Sequence, residues 1–148
     1  MATHTAVVTV SVRGALETRQ VRTIPPSDGE VRVRVEWTAS TPVDLHQNDG
    51  GLFVTHPQVL GDGTAGTVVE VGPGVKKLKV GDRVSSFHSL GLNRYFPILE
   101  TQSNSYTKVF GFTWRTQQEK SHQEFVTVPE FLLGIVSSNP SSSPYHIL

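Results

Sequence analysis

The run LGDGTAGTVVEVGPG, Leu60 to Gly74, limits what this chain can fold into more than any other stretch, because it carries two opposed signals. Gly61, Gly63 and Gly66 are spaced as G-x-G-x-x-G, a pattern that cradles a dinucleotide only where a buried strand precedes it and a helix follows. The residues after Gly66 are Thr67, Val68, Val69, Glu70 and Val71, four of them β-branched, which disfavours a helix and suits a pleated strand. Gly72-Pro73-Gly74 then stops the segment, and Pro57 interrupts the stretch in front of it. The sequence therefore predicts a turn into a strand, not a phosphate loop. The glycines would supply positive φ or close backbone approach.

The rest of the chain agrees with a mainly β fold. VRVRVEW, Val31 to Trp37, alternates strictly and predicts a half-buried strand with Val31, Val33, Val35 and Trp37 on one face. Strands are also expected in Thr5 to Val12, around Arg83-Val84 and over Gln123 to Pro129, and PPSDGE before Val31 reads as a turn. A short helix is expected from Pro42, with proline in its first turn and Thr41 as its cap. Short strands divided by Gly/Pro turns favour an all-β barrel or sandwich.

Balanced charge, 13 basic against 13 acidic residues, gives no field that would gather nucleic acid or acidic lipid. The chain has 148 residues and no cysteine, which removes disulfides and every thiolate metal site and suits a reducing compartment. No basic segment precedes a long apolar run, and no stretch approaches the ~20 apolar residues of a membrane span. A cytoplasmic protein is expected, with no nucleic acid or membrane partner. His46, His56, Asp44, Asp49 and Asp62 fall in one short window, but their spacing matches no metal-site pattern, so they read as polar loop residues and no metal is assigned.

The run VLGDGTAGTVVEVGPGVKKLKVGDRV, Val59 to Val84, resembles the N-terminal, GroES-like domain of the medium-chain dehydrogenase/reductase superfamily. Val31 to Gly50 before it and Val109 to Gly134 after it are similar to matching parts of that domain. The likeness is to the zinc-free branch, which holds quinone reductases and fungal trans-acting enoyl reductases. In zinc-dependent members a Cys stands near Ser40 or Thr41, and Gly-His-Glu stands where this chain has Gly61-Asp62-Gly63. The resemblance thus implies a GroES-like, partly open β-barrel with one or two short helices, no zinc, and NADPH as hydride donor to an enone or quinone.

The same resemblance places Thr41 to Gln47 on the floor of the cleft. Thr41 would donate its hydroxyl to the carboxamide or a substrate carbonyl, and His46 would be a second candidate, as proton relay. Pro42, Val43 and Asp44 would pack against the cofactor. Ordinary helix capping competes for Thr41 and Asp44, and Asp62 reads as a turn residue bonding local amides.

Residues 1–134 are expected to form the GroES-like domain, interrupted by an aperiodic insertion at 85–108, with a Ser/Pro-rich disordered tail at 135–148. The insertion and the tail are expected to be either genuine surface segments or translated non-coding sequence. Members of the superfamily continue into a Rossmann domain, and no βαβ pattern occurs here. The chain is therefore expected to be weak or inactive alone, needing a Rossmann-domain partner or associating with itself. A non-catalytic binding module and a truncated gene product are the competing expectations.

Overall fold

The computed structural model describes residues 1–50, 54–87 and 116–136. Its order is β1 (Thr3–Thr9), β2 (Leu16–Arg22), β3 (Glu30–Thr38), α1 (Pro42–Asn48), β4 (Gln58–Val59), β5 (Gly63–Val71), β6 (Arg83–Phe87), β7 (Phe125–Pro129) and β8 (Gly134–Ile135). Single 3-10 turns occupy Gln117–Glu119 and Glu130–Leu132. The strands form two open sheets, β2-β1-β4 and β7-β3-β5-β6-β8, and every pairing in them is antiparallel. The expectation of a mainly β, GroES-like, partly open barrel with a short helix holds. The tri-glycine stretch leads directly into β5, as its β-branched residues require.

The valines of VRVRVEW build the main core. Val31 and Val33 are fully buried and pack with Val68, Val84, Val126, Val128 and Leu78 between the strands of the larger sheet and its turns. Burial of each such valine contributes about 1.5–3 kcal/mol. The smaller sheet has its own cluster, Ala6, Val8 and Val59, flanked by Val10 and Val21.

One expectation about β3 fails. Trp37 does not join the valine face; it is 74% exposed. The register explains why. Val35 pairs with Gly66, but Trp37 pairs with Ala65, so Glu36 is an extra residue opposite an unbroken partner strand. Such a bulge shifts the phase of the strand by one, and because side chains alternate strictly, every residue beyond it changes face. Trp37 passes to the side of Arg34, and Thr38 pairs with Thr64. Glu36 in turn accepts a hydrogen bond from the Thr67 hydroxyl at 2.6 Å.

A strap formed by Ser121 to Glu124 joins the two sheets. The Val7 amide donates to the His122 carbonyl at 2.8 Å, and the Glu124 amide to the Thr5 carbonyl at 3.0 Å. On the other side, the Val35 amide donates to the Glu124 carbonyl at 2.9 Å. His4 anchors the same region: its ring nitrogens lie 2.8 Å from the Thr23 hydroxyl and 2.9 Å from Oε1 of Gln123.

β6 runs from Arg83 to Phe87, three residues into the stretch read as aperiodic, and β8 ends at Ile135, one residue into the stretch read as tail. Residues 88–108 and 137–148 of those two segments lie outside the described residues.

Candidate functional site

The site begins with the cap of α1. Thr41 has extended backbone and Pro42 occupies the first helical turn, as proline without an amide can. Asp44, third in the helix, turns back so that Oδ2 accepts the Thr41 amide at 2.8 Å. Its other oxygen, Oδ1, accepts the Gly61 amide at 2.8 Å. One buried carboxylate, 7% exposed, thus satisfies an otherwise orphaned helix-end amide and pins α1 to the glycine turn.

Gly61 permits that junction. Its φ is +95°, and a Cβ there would stand 2.4 Å from the Ser121 hydroxyl and 2.6 Å from the His122 amide. Gly66 answers to the second requirement only: a Cβ on it would meet the Arg34 carbonyl oxygen of β3. Both physical reasons foreseen for the glycines therefore operate, at different positions.

With α1 and the glycine turn joined, the Thr41 hydroxyl points at Asp62, 3.3 Å from Oδ2 and 3.5 Å from Oδ1. It also lies 3.5 Å from Oδ2 of Asp44. Behind them sits Lys120, 6% exposed. Burial and the facing Asp44 carboxylate raise the pKa of Asp62; the Thr41 hydroxyl and the Lys120 charge oppose the rise without cancelling it. Burial lowers the pKa of Lys120, against the pull of Asp62, Asp44 and Glu119.

Thr41 and Asp44 border an open cleft of about 820 Å³, and Asp62 and Lys120 lie outside its lining. Val35, Leu45 and Leu60 give it apolar wall, while Ser40, Thr41 and His122 bring polar groups to it. Its size is that of an ordinary small-molecule site. Of the residues singled out by sequence, Thr41 and Asp44 reach the cleft. Pro42 and His46 are exposed on α1, Val43 is half-buried, and none of the three lines the cleft.

Sequence reading took Asp62 for a turn residue and passed over Lys120, Ser121 and Thr38. The hydroxyls of Thr38 and Ser121 lie 2.8 Å apart, and Thr38 donates to the Gly63 carbonyl at 3.0 Å. Nothing local marks these positions, which only strand pairing brings together across some sixty to eighty residues. Among the described residues no group of three or more His, Asp or Glu gathers that could hold a metal ion.

The sequence profile of the family described as "Alcohol dehydrogenase GroES-like domain" matches residues 27–137. A probable diacetyl reductase [(R)-acetoin forming] 2 of Saccharomyces cerevisiae is 44% identical over 68 residues, 37% of this chain and 16% of that protein. The L-threonine 3-dehydrogenase of Pyrococcus abyssi is 32% identical over 125 residues, 80% of this chain and 34% of that protein. Among solved structures, AibC superposes with a TM-score of 0.74 at 27% identity, covering 92% of this chain and 38% of its own. The chain thus spans about a third or less of these curated relatives.

Proposed function

Because the chain belongs to the alcohol dehydrogenase GroES-like domain family, within the medium-chain dehydrogenase/reductase superfamily, we propose that it supplies the substrate-side wall of an oxidoreductase cleft. Within that family we read it as the N-terminal part of a cytoplasmic, zinc-independent, NADPH-dependent reductase of the enoyl or quinone reductase type.

The observation that carries this reading is the donor set at the cleft and behind it: a threonine hydroxyl in the lining, bonded to an aspartate that interacts with a lysine ammonium. Zinc in this kind of site is held by thiolate and imidazole, and a neighbouring cation would oppose it. These residues do not suit that metal. The cleft does suit the nicotinamide end of a dinucleotide together with a small carbonyl compound. The phosphates would need another wall, since the tri-glycine stretch enters a strand and offers no helix N-terminus.

NADPH, when bound, supplies the hydride for the β-carbon of an activated alkene. The Thr41 hydroxyl donates to the carbonyl of the substrate or of the carboxamide, polarising the first and orienting the second. Asp44 keeps that hydroxyl in place by holding the backbone on both sides of it. Val35, Leu45 and Leu60 exclude water from the reacting face. Pro42 and Val43 are the side of α1 against which the cofactor would pack. His46, exposed on the same helix, is the second candidate, as proton relay.

The test is a calorimetric titration of the chain with NADPH, followed by turnover of an enone after adding a Rossmann-fold partner domain. Binding by the chain alone should be weaker than about 1 μM, because half a cleft scarcely offsets the cost of immobilising the ligand. Turnover in the complemented form should survive exhaustive chelation. Loss of turnover on chelation, restored by zinc, would overturn the assignment to the zinc-free type.

A further inference from the structure

Three carboxylates converge on one ammonium beneath the cleft. Asp44, Glu119 and Lys120 are buried and Asp62 is half-buried, and the charge of Lys120 interacts with all three acids. Fully ionised, the group would confine an excess of negative charge in a poorly solvated place, which is unfavourable unless a proton is retained. Asp44 already accepts two backbone amides, one on each oxygen. Asp62 has the Thr41 hydroxyl as its side-chain partner and keeps part of its surface in solvent. His122, the remaining titratable group beside the glycine turn, places Nε2 3.1 Å from the Ala39 carbonyl, where that nitrogen donates.

We propose that Asp62 is the proton store of the cleft, exchanging its proton with a bound carbonyl compound through the Thr41 hydroxyl. The proposal rests on the reductase reading for its direction. NADPH bound here would supply the hydride to the β-carbon, which would leave an enolate to be protonated. The Thr41 O–H bond then breaks as the α C–H bond forms. The Asp62 O–H bond breaks to restore the threonine hydroxyl, and the Asp62 carboxylate recovers a proton from water. Thr41 touches the substrate; Asp62 acts through it.

Two measurements on the full chain test this without requiring NADPH, so they stand or fall separately from the reductase reading. The first follows side-chain carboxyl carbons by NMR against pH, with Asp62→Asn identifying the Asp62 signal. Asp62 should titrate above the usual carboxylate range, and Thr41→Val should move it higher by removing the hydrogen bond to the ionised form. The second follows exchange of the α-protons of cyclohexanone in D2O. The chain should accelerate exchange over buffer, and Asp62→Asn and Thr41→Val should each remove at least about tenfold of that acceleration, a modest general acid–base effect. Thr41→Ser, which keeps the hydroxyl, should retain both properties. An ordinary titration of Asp62, or exchange no faster than buffer in the unaltered chain, would overturn the proposal.

Discussion

At the scale of single residues, the site depends on one atom being absent and one carboxylate being in two places. Gly61→Ala adds a Cβ into the Ser121 hydroxyl and the His122 amide at a φ that only glycine adopts freely. Strain and overpacking together should destabilise the chain by about 2–4 kcal/mol, measured by urea unfolding. Gly81, also at a φ of +95° but with open space around it, is the control: alanine there should cost only about 1–2 kcal/mol of backbone strain. Asp62 gives a prediction of sign. Its raised pKa means the folded state holds the proton more tightly than the unfolded chain. The stability it contributes is present below the unfolded pKa and is lost as pH rises through the folded one. Asp62→Asn cannot lose a proton, so its melting temperature relative to the unaltered chain should climb from acid pH towards neutrality. A constant difference across that range would contradict the burial and charge argument.

Elements were legible where the signal was local, and illegible where pairing decided the outcome. Thr41-Pro42 with Asp44 is a helix start written in three residues, and α1 begins there. The β-branched run after Gly66 and the alternating valines gave β5 and the inner half of β3. β2 carried no signal, because LETRQVR has five exposed polar residues and only Leu16 and Val21 as apolar ones. It is a strand through pairing with β1 from Thr3↔Arg22 to Thr9↔Leu16. Trp37 was misassigned for the same reason, since the bulge at Glu36 is a property of two strands and not of one sequence. Deleting Glu36 should restore the alternation and turn Trp37 inward; with Trp114 replaced by Phe, its fluorescence should shift to the blue if the protein folds. A second element prediction concerns Glu130, whose carboxylate accepts the amides of Lys76 and Leu78 at 3.1 and 3.2 Å and that of Lys77 as well. Glu130→Gln should keep the turn before β6 in place, whereas Glu130→Ala should lower the melting temperature and speed amide exchange at Lys76 to Leu78.

At the scale of the whole molecule, the strap from Ser121 to Glu124 has two duties at once. It fastens the three-stranded sheet to the five-stranded one through the amides of Val7, Glu124 and Val35, and it forms a wall of the cleft through His122. The shape of the cleft is therefore inseparable from the docking of the two sheets. A small molecule that fills it should tighten the seam, slowing deuterium uptake at Val7 and Glu124 while leaving the far edge at β2 unchanged; uniform slowing, or none, would separate the two duties. Conversely, loosening the seam at His4, which does not line the cleft, should weaken affinity in the calorimetric titration with NADPH without removing a lining side chain. In such an arrangement the keystone and the doorpost are the same stone, and recognition is felt as rigidity before it is felt as chemistry.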